Sequence, residues 1–231
     1  MEMFKKILKK DIKKEDTNSE MLDLLKQDGV FLIDDYIVGD DLKQLHDQTL
    51  NLCKTKGGHY EFGRNYRGPS LTTFKKNSPI EKVFNDSWMS KLDKTYRKKT
   101  SGFGKSVYAT YDYKNNEGLA RNGWLHFDRN HCLKFFIYLT DIDKTNGAFS
   151  CSVGSRSKGE ELRVKAWKKT KNYNDVLNRV ELNYPDILGE YPATPVEAKA
   201  GTLIVFDTDT FHKGGECEEG KNRLIIRLHC V

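Results

Sequence analysis

Apolar positions recur at helical spacing in the first half of the chain; in the second half they form short, dense runs of the kind found in strands. Residues 19–27 (SEMLDLLKQ) predict a short amphipathic helix that stops near Asp28-Gly29. The apolar, β-branched run VFLIDDYI that follows predicts a strand. Gly39-Asp40 opens a helix to about Cys53, with Leu42, Leu45, Leu50 and Leu52 on its apolar faces. Residues 54–78 are rich in Gly, aromatic and basic residues and predict loop with short extended pieces; residues 79–99 predict another helix. From Ser106 onward SVYATYDY, LKFFIYLTDI, GAFSCSV, GTLIVFD and RLIIRLHC are β-rich runs separated by turn signals such as Asn146-Gly147 and Gly214-Gly215. A lysine-rich helical insertion at about 159–182 interrupts them. Helices first and strands afterwards predict an α+β domain whose β half is a sandwich or barrel.

Composition narrows the class. The chain of 231 residues is long enough for one domain with a sizeable core, and we read it as one: a lysine-rich segment (1–18), a mainly helical support (19–105) and a barrel core (106–231). No apolar run is long enough to span a membrane, and the N-terminal lysines lack an apolar stretch of signal-peptide type. Five scattered cysteines without a C-x-x-C pair argue against a disulfide framework and a structural zinc site, and fit a reducing, cytoplasmic setting. Of the net charge of +6, residues 1–14 carry +4, from six lysines against Glu2 and Asp11. This segment reads as a solvated helix packing Phe4, Ile7, Leu8 and Ile12 on the domain, with contact to an acidic partner or membrane surface as the alternative. The basic run Arg163 to Lys171, around Trp167, reads as a solvated helix face, with a grip on an anionic substrate as the alternative.

The candidate chemistry begins at Trp124-Leu125-His126-Phe127-Asp128. On an extended chain residues i and i+2 share a face, so His126 and Asp128 can take adjacent positions on one metal ion. His212 follows the run GTLIVFD, within FDTDTFHKGG. Two histidines and a carboxylate form the facial triad of non-haem iron(II) oxygenases, with three coordination positions left open. His126 and Asp128 alone would equally suit a hydrogen-bonded strand pair. The order of elements favours the metal: several strands separate His126 from His212, and Arg223 opens the next apolar strand, where a guanidinium can take a dicarboxylate through two hydrogen bonds.

The chain resembles the phytanoyl-CoA hydroxylase family of Fe(II)/2-oxoglutarate oxygenases over nearly its whole length. The resemblance rests on LLKQDGVFLIDDYIVGDDLKQLHDQTL, on WLHFD, on FFIYLTDIDKTNGAFSCSVGSRS, and on AGTLIVFDTDTFHKGG with KNRLIIRL. It implies a double-stranded β-helix, a jelly-roll or cupin-like barrel, with N-terminal helices packed on one sheet. It implies iron(II) on His126, Asp128 and His212, 2-oxoglutarate as cosubstrate, dioxygen as oxidant, and hydroxylation of a substrate C–H bond as 2-oxoglutarate is decarboxylated to succinate. Retention of Asp128, where related halogenases have Gly or Ala, argues for hydroxylation. Val153-Gly154-Ser155-Arg156 stands where the family has Pro-Gly-Ser-His, which argues against phytanoyl-CoA itself as substrate.

Arg223 is the expected anchor for the distal carboxylate of 2-oxoglutarate, and Arg227, four residues on with the same parity, is the reserve. Lys134 shares the inward parity of the H-x-D pair if no bulge intervenes; buried in LKFFIYL it needs a partner, which an oxoglutarate carboxylate would supply, and an edge-strand lysine facing water is the alternative. Tyr108 and Tyr111 are candidates to line the pocket, although strand aromatics are commonly core, and Trp124 reads as packing. His46, His59, His131 and His229 receive no metal role. A small molecule is the expected substrate. The alternatives are an oxygenase acting on a protein side chain or nucleic acid, and a metal-binding barrel without turnover.

Overall fold

The computed structural model describes residues 19–60, 63–98, 104–113, 123–169 and 177–230, so the lysine-rich segment 1–18 and Lys171 lie outside the described residues. The helical half consists of α1 (Ser19–Gln27), α2 (Gly39–Lys56), α3 (Pro79–Phe84) and α4 (Ser87–Arg97). The strands are β1 (Val30–Ile33), β2 (Gly58–Tyr60), β3 (Gly63–Ser70), β4 (Lys105–Asp112), β5 (Leu133–Tyr138), β6 (Ser150–Cys151), β7 (Thr194–Pro195), β8 (Leu203–Asp207), β9 (His212–Lys213) and β10 (Arg223–Cys230). Helices α5 (Arg156–Lys169) and α6 (Val180–Asn183) form the insertion. The strands make an antiparallel seven-stranded sheet, β1-β8-β5-β10-β4-β3-β2, and an antiparallel three-stranded sheet, β7-β6-β9.

Alternation along the large sheet divides the molecule into layers. On β10, Leu224, Ile226, Leu228 and Cys230 pack outward with Met21, Leu25, Leu45, Ile80, Phe84 and Met89 of the helices. The opposite face holds Ile225, Phe136, Tyr138, Ile204 and Phe206, which meet Phe149 and Cys151 of the small-sheet side. Complete burial of each such Phe, Leu or Ile contributes about 1.5–3 kcal/mol, so the helices are required to cover the outer face of the sheet. Leu125, Phe127, Leu162, Val180 and Phe211 form a third cluster that ties α5 and α6 to the loops carrying the H-x-D pair and His212.

Two expectations change. The span expected as one helix forms two, 79–84 and 87–97, broken at Asn85-Asp86, side chains that compete with helical backbone bonding; Ser78 caps the first, its Oγ accepting from Glu81 N at 3.3 Å. Within 54–78, β2 and β3 pair antiparallel and β3 pairs with β4. Arg64 ties this pair to the end of α2 by donating from Nε to Cys53 O (2.8 Å) and from Nη2 to Gly57 O (2.6 Å). The insertion begins at Arg156, slightly before its expected start.

Candidate metal centre

The two metal-directed histidines reach each other through their backbones. His126 N donates to His212 O (2.9 Å) and His212 N to His126 O (2.8 Å), an isolated antiparallel bridge. Asp128 N donates to Thr208 O at 2.9 Å, which keeps Asp128 on the same face as His126, while Phe127 turns away into the third cluster. The imidazoles are oriented from behind: Nδ1 of His126 donates to Trp124 O and Nδ1 of His212 to Thr210 O, each at 2.7 Å. A carbonyl only accepts, so both Nδ1 atoms carry the proton and both Nε2 atoms present a lone pair.

Those lone pairs converge on Asp128. Its Oδ1 lies 3.8 Å from His126 Nε2 and 3.5 Å from His212 Nε2, and all three ligand atoms fall within 4.8 Å of one another. Adjacent ligand atoms on a metal with bonds of about 2.1 Å stand about 3 Å apart, so a small contraction would close the set on an ion. His212 Nε2 is buried and has no hydrogen-bond partner among the described residues, a state a metal bond relieves. Burial, reinforced by neighbouring His212, pushes His126 well below the ordinary histidine range. Burial pushes Asp128 up, but the Lys134 ammonium and the histidines outweigh it and hold the carboxyl well below its ordinary value. The set thus presents two imidazoles tethered through Nδ1 and a carboxylate, the donor set of a 2-His-1-carboxylate iron site.

The loop leading to His212 hangs on Asp207, a residue without a role in the sequence reading. Its Oδ2 accepts from Tyr96 Oη (2.6 Å), His131 Nε2 (2.9 Å) and Arg156 Nε (3.2 Å), and Oδ1 accepts from Asp209 N (2.8 Å). Arg163 holds Asp209 through Nε (2.6 Å) and Nη2 (3.0 Å), so part of the basic run read as a solvated face is an internal tie. Gly29 closes the loop from the other side: its carbonyl accepts from Asp207 N and Thr210 Oγ1, and at φ 77° a Cβ would meet that hydroxyl at 2.0 Å. His131, Asp207 and Asp209 also cluster, but their ligand atoms are occupied by these bonds. Burial raises the Asp207 carboxyl, yet His131 and Tyr96 reverse this and leave it below its ordinary value. Its contribution to stability is therefore present above the ordinary carboxylate pKa of about 4 and lost as pH falls through the depressed value. Asp207→Asn should destabilise the fold by about 3 kcal/mol near neutral pH, read by urea denaturation, with the difference shrinking in acid. A difference constant with pH would contradict the assigned charge network.

Between the sheets lies a cavity of about 230 Å³ whose walls include His212, Lys134, Tyr108, Thr110, Arg223, Arg227 and His229. Lys134 faces inward as expected, but its partner is Asp128 (Nζ to Oδ2, 2.5 Å) rather than a group left for the cosubstrate. Tyr108 lines the cavity; Tyr111, of opposite parity, packs on the helix-side core. Trp124 orients His126 through its carbonyl. Arg223, the expected anchor, also pairs within the protein: Nε and Nη2 donate to Asp112 Oδ2, the former at 2.7 Å, and Nη1 donates to Gly147 O. These bonds use three of its five N–H groups. Gly147 sits at φ 86°, and a Cβ there would come within 3.4 Å of Arg223 Cζ, so the Asn-Gly turn serves this contact. Arg227, the reserve candidate, faces the cavity. Asp112 and His229 were missed. Parity with Arg227 was a signal for His229; Asp112 depended on the β4–β10 register, which pairs it with Arg223.

The model of the phytanoyl-CoA dioxygenase (PhyH) family matches residues 82–223, a span that contains the whole candidate triad. The chain belongs to the PhyH family. As a PhyH protein it is an Fe(II)/2-oxoglutarate-dependent oxygenase, an enzyme that uses iron, 2-oxoglutarate and dioxygen. Solved structures agree on the fold, a double-stranded β-helix. The epimerase SnoN, in complex with Fe3+, alpha ketoglutarate and nogalamycin RO, matches with TM-score 0.67 at 10% identity over 92% of this chain and 82% of its own. EctD from S. alaskensis, with 2-oxoglutarate and 5-hydroxyectoine, matches with TM-score 0.66 at 13% identity over 97% and 79%. HygX from Streptomyces hygroscopicus, with nickel and 2-oxoglutarate, matches with TM-score 0.58 at 14% identity over 93% and 86%. Comparison with curated protein sequences gave no match. None of the described helices is long and apolar enough to cross a membrane.

Proposed function

We propose that His126, Asp128 and His212 hold the iron and that the enzyme hydroxylates an unactivated C–H bond of a small molecule. The observation that carries this reading is the convergence of two Nδ1-tethered histidines on Asp128, with His212 Nε2 buried and unpartnered. Iron(II) bound there with 2-oxoglutarate and dioxygen supplies oxidative decarboxylation to succinate and carbon dioxide, with transfer of one oxygen atom to the substrate. The chain's own residues do the rest. Trp124 O and Thr210 O fix the imidazole planes, and Lys134 keeps Asp128 ionised and aligned. Arg223 keeps two N–H groups beyond those given to Asp112 and Gly147, and Thr110 Oγ1 beside it is buried without a partner. We assign these groups to the distal carboxylate of 2-oxoglutarate.

A small substrate suits the cavity between the sheets, on whose wall His212 is only 4% exposed. The names of the similar structures support this size class: nogalamycin RO with SnoN, hygromycin B with HygX, 5-hydroxyectoine with EctD. All five cysteines are free and buried, which supports a reducing compartment such as the cytoplasm.

Isotope-labelled 2-oxoglutarate, incubated with the Fe(II)-loaded enzyme in air, should yield labelled succinate, and none with His212→Ala; equal yields from both would overturn the assignment. Arg223→Lys keeps the charge beside Asp112 but loses the fork. It should weaken 2-oxoglutarate binding about 10- to 100-fold by calorimetry with little change in metal affinity. Equal loss of both would refute the anchoring role.

A further inference from the structure

Among the described residues the cavity wall carries five cationic side chains, Arg67, Lys134, Lys213, Arg223 and Arg227, and no acidic one. Three have a carboxylate partner: Lys134 has Asp128, Lys213 has Glu181 (3.2 Å), and Arg223 has Asp112. Arg67 and Arg227 have none among the described residues. In register they flank Tyr108, Arg67 opposite it on β3 and Arg227 opposite it on β10. Arg227 Cζ lies 5.8 Å from the centre of the Tyr108 ring, and its Nε is buried without a hydrogen-bond partner. Burial pushes the Arg227 guanidinium below its ordinary value, more than the nearby Asp112 carboxylate offsets. His229, stacked on Tyr108 at 4.2 Å, and Asn65 add two more buried polar atoms without partners, Nε2 and Oδ1.

Arg67, exposed, and Arg227 flank Tyr108 in register with no carboxylate paired to either among the described residues, and the desolvated Arg227 donor without an acceptor is unfavourable. The cosubstrate does not resolve this if Arg223 takes its distal carboxylate, because Arg227 lies two inward-facing positions further along β10. We propose that Arg227, aided by Arg67 across Tyr108, binds an oxyanion of the primary substrate, a carboxylate or a phosphate, so that the enzyme oxidises an anionic small molecule. The anion fixes one end of the substrate, and the span from Arg227 to His212 along the cavity wall selects the carbon presented for oxidation. This inference rests on the iron and 2-oxoglutarate assignment above.

The test uses the full chain loaded with Zn(II), a diamagnetic stand-in for iron, and saturated with 2-oxoglutarate. Sulfate and acetate, as probes of phosphate-like and carboxylate recognition, are titrated separately while the Arg227 Nε–H resonance is followed by 15N NMR. Either probe should move that resonance saturably, and the stronger responder identifies the oxyanion class. By thermal shift, Arg227→Gln should weaken binding of that probe about 10- to 100-fold, the weight of a hydrogen bond to a charged group, and Arg227→Lys should retain part of it. The affinity of Arg227→Gln for 2-oxoglutarate should fall by less than about threefold, since a neutral interaction change of that size is under 1 kcal/mol. No saturable shift with either probe, undiminished binding in Arg227→Gln, or a loss of 2-oxoglutarate affinity above tenfold would overturn the proposal. Failure of the wild-type protein to bind 2-oxoglutarate at all would instead sink the assignment beneath it.

Discussion

Replacing Asp128 by alanine should lower affinity for a divalent metal by more than about 100-fold, since loss of supporting groups behind a ligand alone lowers it 10- to 100-fold. The expected effect exceeds that of a simple ligand deletion because of Lys134. Its ammonium lies 2.5 Å from Asp128 Oδ2, so removing the carboxylate leaves a positive charge facing the place where the cation would sit. His126 and His212 remain oriented by Trp124 O and Thr210 O, so the fold and imidazole geometry should persist. The matching control is Asp128→Ala with Lys134→Ala, which should recover part of the lost affinity. Calorimetric titration with Zn(II) reads both proteins. If the single variant binds as tightly as the wild type, the metal is held elsewhere.

Asp112→Asn should destabilise the protein by about 3 kcal/mol, the lower end for uncoupling a buried ion pair, and should also tighten its grip on 2-oxoglutarate. Asp112 is 2% exposed and Arg223 5%. Burial raises the Asp112 carboxyl, and the Arg223 guanidinium opposes this. With asparagine in place, Arg223 keeps its position but its charge is no longer neutralised. A cosubstrate carboxylate then becomes its only full counter-charge. Two-state coupling of this kind is worth about 5- to 150-fold, and an increase of about tenfold in 2-oxoglutarate affinity is expected. Denaturation without ligand measures the first effect, and ligand-dependent thermal shift measures the second. A destabilised variant with unchanged 2-oxoglutarate affinity would show that Arg223 is structural and that the cosubstrate is anchored by another group.

These two residues mark what the sequence could and could not disclose. His126 and Asp128 were legible because parity on an extended segment is local, and His212 because the order of strands brings the end of β8 back to the H-x-D segment. Helix α1 was legible from its period and its glycine stop. The break between α3 and α4 was visible only in hindsight, in Asn85-Asp86. The β2–β3 pair was hidden because its Gly, Tyr and Arg residues pair by backbone with β4 and give no apolar alternation. Arg223 was found, yet its partner was not, since the pairing with Asp112 follows from a register across 111 positions of sequence. The same holds for Lys134, turned inward as expected and paired in the structure with Asp128. Asp207 gave no signal, because its four bonds come from α4, from the segment before β5, from α5 and from its own turn.

The central claim is that one buried triad holds the iron to which 2-oxoglutarate binds. Anaerobic titration of the metal-free protein with Fe(II) and then 2-oxoglutarate, followed by visible absorption, tests it most directly. The account predicts a charge-transfer band that saturates at one iron and one 2-oxoglutarate per chain and is absent in His212→Ala and Asp128→Ala. No band in the wild type, or the same band in either variant, would contradict it.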